Sequence, residues 1–480
     1  MQRMNRLFIF IFLIGFAVKT DAGVFLPLDD SEHRIFYKQI ERNEYLNHTA
    51  FDYFKAPWFI PDSLVDLSHY NFLQLGSTEN VNVIFSVNDR LFIKEKSKTI
   101  SFEKLKAKLF AQPFSNIYFY SSISLDEQKA EDPAYAGKKW RGLAGGIDQS
   151  FAAYNSKSFT AIAGRFKAFW GIEKSLLLSA EQPLDGFSYS VKWKKLTLSY
   201  QLAKLNQIGL TIGTHFYENR YFAGHRIDIS LTENFRIGLF ESVIFGGYGR
   251  TVEFNYLNPV LYFHADQLND NTNDNTFLGF DFTYYYKKSK LYGQVFVDDM
   301  QIEKKSQGDE EPNEIGITVG VFQTDIYRNT DIEFSYTRIT NRTYNQTYPK
   351  NRYTENNRSL GYYDANDFDL INAEVRHWLN KNTNLTLIAS YQRQGEGSIN
   401  DPWTEPWLDI EGDYSEEFPT GIVEKRTKIQ LGVASFVAGN FFINADGGYL
   451  STANKFHIES NSEKTLFLNL YLTAFLSTAL

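Results

Sequence analysis

Two tryptophans four residues apart, Trp403 and Trp407, stand among the carboxylates of Asp401, Glu405 and Asp409. Rings and carboxylates so mixed suit sugar binding, because a pyranose lays an apolar face on an indole while carboxylates accept its hydroxyl protons. Tyr344, Tyr348 and Tyr353, in a second polar segment, would extend that surface. The same rings also suit an interfacial belt or packing within a loop, and the sequence leaves both readings open.

Other chemistry is poorly supported. There is no G-x-S-x-G and no H-E-x-x-H, and the eight histidines are scattered, so no hydrolase is signalled. Asp270-Asn271-Thr272-Asn273-Asp274-Asn275 resembles a calcium loop, with Asp281 at the twelfth position. Its sixth position is Asn275 rather than the required glycine, so a solvated loop is expected, with no metal and no cofactor. There are no cysteines, which removes disulfides, thiolate metal sites and thiol nucleophiles. The net charge of −8 is spread along the chain, so nucleic acid is not an expected partner.

The elements that would hold these residues are strands. Phe187, Tyr189, Val191 and Trp193 alternate with Ser188, Ser190 and Lys192. Leu196, Leu198, Tyr200 and Leu202 do the same against Thr197, Ser199 and Gln201, and the pattern returns at Leu278 to Tyr286 and Leu466 to Leu472. Short turns alternate with long polar connections, as in outer-membrane barrels, where short turns face the periplasm and long loops the outside. Sixteen per cent of residues are aromatic while mean hydropathy is −0.36, a combination that aromatic girdles around a polar lumen would give. The fold expected is an all-β transmembrane barrel of about 18 antiparallel strands, with 16 as the alternative.

Strand parity sends Ile227, Ile229 and Leu231 to lipid and Arg226, Asp228 and Asp281 to the lumen. Arg226 in lipid at the midplane would cost about 2–4 kcal/mol. Arg165, Glu241, Asp298 and Asp299 are grouped with them as a lumen network that closes the pore, lines a sugar path, or simply stabilises the barrel. His225 follows the outward parity of Ile227, and the 251–276 connection is expected to fold into the lumen. Before the barrel, Arg3, Arg6 and the apolar run Leu7 to Phe16 read as a signal peptide of residues 1–22, cleaved after Ala22. Residues 23–78 read as a small periplasmic helical element capped by Asp30 or Ser31, and 79–480 as the barrel.

From Gly164 the chain carries an ordered series of segments: GRFKAFWGIEKSLLLS, NRYFAGHRIDI at 219–229, Glu241 with IFGGYGR, Asn258-Pro259, and YGQVFVDDMQI at 292–302. This series resembles the Wzi family of capsule-assembly outer-membrane proteins. The resemblance implies an 18-stranded outer-membrane barrel with a periplasmic helical element, acting without catalysis to hold capsular polysaccharide at the cell surface. The implied partners are capsular or extracellular polysaccharide, outer-membrane lipids and the barrel assembly machinery, and the barrel is expected to be a monomer. A porin-like channel and a barrel-embedded hydrolase are the competing functions.

Overall fold

In the computed structural model the described chain runs from Val81 to Ala479, apart from 95–99, 210–216, 301–309, 411–413 and a few single positions. Ahead of it, residues 24–26 and 58–60 and the helical positions 35, 38, 39 and 42 are described; the signal peptide and Asp30 and Ser31 lie outside the described residues.

The barrel strands are β1 (Val81–Lys94), β2 (Ile100–Phe114), β3 (Ile117–Asp126), β4 (Leu143–Asn155), β5 (Phe159–Phe166) and β6 (Leu184–Trp193). They continue as β7 (Leu196–Gly209), β8 (Tyr217–Ser230), β9 (Phe235–Tyr248), β10 (Asn275–Tyr286), β11 (Ser289–Asp299) and β12 (Glu314–Tyr327). The last are β13 (Thr330–Ile339), β14 (Phe368–Asn380), β15 (Thr383–Gln394), β16 (Glu424–Val437), β17 (Phe441–Ala453) and β18 (Ser462–Ala479). Each pairs antiparallel with its neighbour, and β18 returns to β1 from Phe467↔Lys94 to Ala479↔Asn82, closing an 18-stranded barrel. Two short helices, α1 (Glu127–Glu131) and α2 (Phe263–Asp270), lie in connections.

Connection lengths alternate as expected. Two to four residues suffice at 115–116, 156–158, 194–195, 231–234, 287–288, 328–329, 381–382 and 438–440. Several of these turns need the left-handed backbone of tight hairpins, with Lys194 at φ 53° and Asn329 at φ 62°. The opposite end carries the longer connections, among them 167–183, 249–274, 340–367 and 395–423.

Alternation sorts the side chains. Outward positions such as Phe85, Leu105, Ile123, Ile227, Leu239, Leu278, Val319, Ile429 and Leu466 are exposed apolar groups, a lipid-facing band. Many inward positions carry buried polar or charged groups, and several of these are paired. Lys106 lies 3.3 Å from Asp148, and Lys104 lies 3.4 Å from Asp126. Arg226 forks between two carboxylates, donating to Asp228 Oδ1 at 2.6 Å and Asp281 Oδ1 at 2.9 Å.

At the short-turn end the N-terminal segment meets the barrel interior. Ile35 joins the interior apolar cluster that includes Trp378, Phe436, Phe442 and Phe475. Arg42 pairs with the buried Asp331 and lies 3.5 Å from Asp325, and Lys38 lies 3.9 Å from Glu333. The region ahead of the barrel is not helical throughout, because Val24–Leu26 pairs with Trp58–Ile60 as two short strands.

Removing Arg226 would strand two buried carboxylates. Arg226→Met is expected to lose about 3–5 kcal/mol of stability, read by urea unfolding in lipid vesicles. A loss under about 1 kcal/mol, the range of an exposed pair, would show that the network carries no weight.

Candidate functional site

The long-connection end is filled by two of its own connections. Residues 167–183 contain three consecutive leucines, which no period-two strand would carry and which water would not favour. Leu176, Leu177 and Leu178 are fully buried, each burial worth about 1.5–3 kcal/mol. They pack in one cluster with the inward residues Phe222 of β8, Phe240 and Ile244 of β9, Phe277 of β10, Phe296 of β11 and Ile339 of β13. Gly279 makes room, since a Cβ there would run into Leu177. The backbone polar groups are satisfied as well: Gln294 Oε1 accepts from the Leu176 amide at 2.9 Å, and Ser179 donates its amide to the Leu360 carbonyl at 2.8 Å.

Residues 340–367 lock this segment from above. Tyr344 Oη donates to the Leu176 carbonyl at 2.8 Å and Tyr353 Oη to the Leu177 carbonyl at 2.5 Å, with the two rings stacked 5.7 Å apart. Burial holds both phenols well above their ordinary range. Arg220 on β8, itself buried, donates to the carbonyls of Lys350 at 2.8 Å and Thr354 at 3.1 Å. Beside it, a two-rung hairpin joins Thr354–Glu355 to Arg358–Ser359. Glu355 accepts from the Asn206 amide at 2.7 Å, and burial raises its carboxyl above the usual range. Arg358 crosses to pair with Asp132 in the 127–142 connection.

The 395–423 connection is tied to the same scaffold. Asp367, its carboxyl raised by burial, accepts from the amides of Gly397 at 2.9 Å and Thr420 at 3.1 Å. Arg352 donates to the Asp401 carbonyl at 2.7 Å. Trp403 and Trp407 meet edge to face at 6.4 Å, and the Arg342 guanidinium lies over both rings, at 5.8 and 5.0 Å. Arg342 pairs with Glu416, and Tyr414 lies 6.3 Å from Trp407 and donates to Glu416 at 3.4 Å. The expected Trp pair is therefore one fixed aromatic and ionic group, in which Trp403 is half-buried and Trp407 buried to 7% exposure.

The tyrosines divide. Tyr348 is exposed, at 54%, but Tyr344 and Tyr353 have no exposure at all. Of the readings open for Tyr344 and Tyr353, a sugar-binding surface or packing within a loop, the structure realises packing: both are core residues whose hydroxyls cap loop carbonyls. Arg342, absent from the expectation, takes a central place because a cation is drawn to the indole faces.

The charged group divides too. Arg226, Asp228 and Asp281 form the inward network described above. Asp298 is also inward and buried, accepting from the Tyr344 amide at 2.7 Å, and Asp299 ends β11 half-buried opposite Glu314. Arg165 and Glu241 do not face the lumen. Register places Arg165 on the outer side with Phe187 and Phe119, where it pairs with Asp185 at 2.7 Å. Glu241 shares the outward parity of Leu239 and lies opposite the lipid-facing Leu278.

What makes Glu241 tolerable there is the 249–274 connection, which folds over the outside of the barrel rather than into it. Its Tyr256 and Phe263 bury the outward residues Tyr200, Leu202, Tyr221, Ala223, Val243 and Phe245 in a second apolar cluster. Glu241 Oε1 accepts from the His264 amide near the start of α2 at 2.9 Å, and its Oε2 lies 3.1 Å from His225 Nε2. His225 faces outward as expected, with its ring 4.7 Å from Phe263. Within the same connection Asp274 accepts from Tyr256 at 2.7 Å and pairs with Arg250, and among the described residues no cluster of three metal-ligating side chains forms.

These features define a class: a transmembrane β-barrel whose long-connection end is packed with its own loops and covered by a fixed aromatic group. The chain belongs to the family of the capsule assembly protein Wzi, whose model matches residues 99–465. Among solved structures it is similar to Wzi of Escherichia coli, described as a carbohydrate-binding β-barrel of the outer membrane involved in group 1 capsule assembly. The TM-score is 0.61 and the identity 12%, over 93% of this chain and 99% of that one. It also matches OccD3 of Pseudomonas aeruginosa at TM-score 0.47 and 9% identity, over 83% of this chain and 92% of that one. No curated protein matches the chain.

Deleting 260–274 is accordingly expected to leave single-channel conductance in a planar bilayer unchanged. Replacing 174–178 with a Gly/Ser linker of equal length should raise conductance well above the low value of the native barrel. Large steady currents from the native barrel would contradict the filled interior.

Proposed function

We propose that this protein is a non-enzymatic outer-membrane barrel that binds and retains capsular or extracellular polysaccharide at the cell surface. The observation that carries the reading is the packed long-connection end. A channel needs an open path, whereas here that end of the lumen is occupied by buried leucines and tyrosines. Membership of a capsule-assembly family supplies the substrate class, and the carbohydrate binding described for the E. coli barrel supports it.

In this reading the long connections face outward and the short turns face the periplasm. Residues 1–22 are the export signal, 23–78 the periplasmic element and 79–480 the barrel, inserted by the barrel assembly machinery as a monomer. The contact with sugar is centred on the half-buried Trp403, which the buried Trp407 and Arg342 hold in place, with Tyr348 at its margin. Stacking on one ring supplies around 1 kcal/mol. A polymer engaging many barrels through repeated units multiplies that through avidity.

Deleting the gene is expected to release polysaccharide into the medium without lowering its total, because retention follows synthesis and export. Trp403→Ala with Trp407→Ala should reproduce part of that release while the barrel remains heat-modifiable on gels. Unchanged retention in the deletion strain would end the proposal; release there with a normal double variant would move the contact elsewhere on the surface.

A further inference from the structure

The outward rim of β13–β16 carries an unusual register row. Arg338 on β13 faces Asp369 on β14, which faces Arg393 on β15, which faces Lys425 on β16. Each residue is one position from the long-connection end of its strand. All four share the parity of lipid-facing neighbours: Phe334, Ile371, Tyr391 and Ile429 are exposed apolar groups on the same strands. Lys464 on β18 has the same outward parity as the lipid-facing Leu466, and it lies opposite Ser451 of β17, which faces Thr427 of β16, two residues from Lys425.

Arg338, Lys425 and Lys464 are held ready rather than neutralised, while Arg393 is paired. Arg338 lies 3.8 Å over the Phe418 ring, a contact that fixes its direction while leaving its donors free. Arg393 spends its fork on Asp369, donating to Oδ1 at 2.9 Å, and Tyr336 steadies the same carboxylate at 3.4 Å. Lys425 and Lys464 are exposed, and among the described residues neither has an ion-pair partner. One carboxylate thus stands among four cations. Beyond β18 the outward row turns acidic, with Asp89 of β1 opposite Glu103 of β2, which bounds the cationic patch on that side.

A cationic row at strand ends, directly above Tyr336, Ile371 and Tyr391, matches an amphiphile with anionic groups at its head and acyl chains below. From Arg338 to Lys425 the row spans three inter-strand spacings, about 14 Å, the size of a disaccharide bearing a phosphate at each end. We propose that Arg338, Arg393, Lys425 and Lys464 form a binding site for the phosphorylated headgroup of an outer-leaflet glycolipid, its chains lying on the apolar band of β13–β18. This site is separate from the polysaccharide contact and rests on the proposed reading only for the orientation in the membrane.

The test uses the full mature barrel in detergent micelles, titrated with bisphosphorylated lipid A, monophosphorylated lipid A and phosphatidylglycerol, with bound lipid counted by native mass spectrometry. Each cation beside an anionic headgroup is worth about fivefold in affinity. The triple change Arg338→Gln, Lys425→Gln and Lys464→Gln, which spares the Arg393–Asp369 pair, should weaken bisphosphorylated lipid A binding by about a hundredfold. Lys425→Gln with Lys464→Gln, both at exposed positions, gives the same readout with a smaller loss should the triple variant fail to fold. Undiminished binding by the variants, equal binding of phosphatidylglycerol, or binding of acidic polysaccharide in place of lipid A would each overturn the assignment. Cells carrying the triple variant should still retain polysaccharide, so a failure of this site and a failure of the anchoring role give different results.

Discussion

A sheet in lipid has no solvent to satisfy an unpaired edge, so the ladder must close. The long pairing of β18 with β1 meets that constraint, and most of the structure follows from it. Closure sets an inside and an outside, and period two then assigns each side chain to lipid or lumen. A guanidinium such as Arg226 is acceptable because the lumen brings it two carboxylates. A leucine run such as 176–178 is acceptable because the lumen walls offer Phe222, Phe277 and Phe296 to cover it.

The same constraint explains the connection that went to the other side. A carboxylate at an outward strand position is expensive in lipid, and Glu241 sits opposite the lipid-facing Leu278. The 249–274 connection and the neighbouring strand relieve it locally: α2 presents an amide, Phe263 a cover, and His225 of β8 a ring nitrogen. The pair and the connection that covers it are therefore one unit, and neither would be stable against lipid alone.

Much of this was legible in the sequence because strand parity is a local property. The strands around Phe187, Leu196, Ile227 and Leu278, the alternation of connections, and the inward set of Arg226, Asp228 and Asp281 follow from spacing alone. The family resemblance, carried by segments between 164 and 302, agreed with the family model over 99–465. What was not legible depends on contacts distant in sequence. Glu241 is grouped with the lumen residues as one of the charges in the segments that carry the resemblance, and nothing local announces that residues 256–264 will shelter it on the outside. Tyr344 and Tyr353 read equally as surface rings or loop packing, because a tyrosine in a polar loop looks the same whether its hydroxyl meets water or a buried carbonyl. One local signal does mark a segment that must be buried: Leu176-Leu177-Leu178 breaks period two inside a long connection.

The central claim is that this barrel is a closed support whose loops are packed as firmly as its wall. Amide hydrogen exchange of the purified protein tests it most directly, comparing peptides that cover 172–179 and 344–360 with peptides from β8 and β10. The packed arrangement requires the two connections to exchange slowly, within about tenfold of the strands, because opening them exposes the buried leucines. Exchange at the rate of free loops, with the strands still protected, would contradict it.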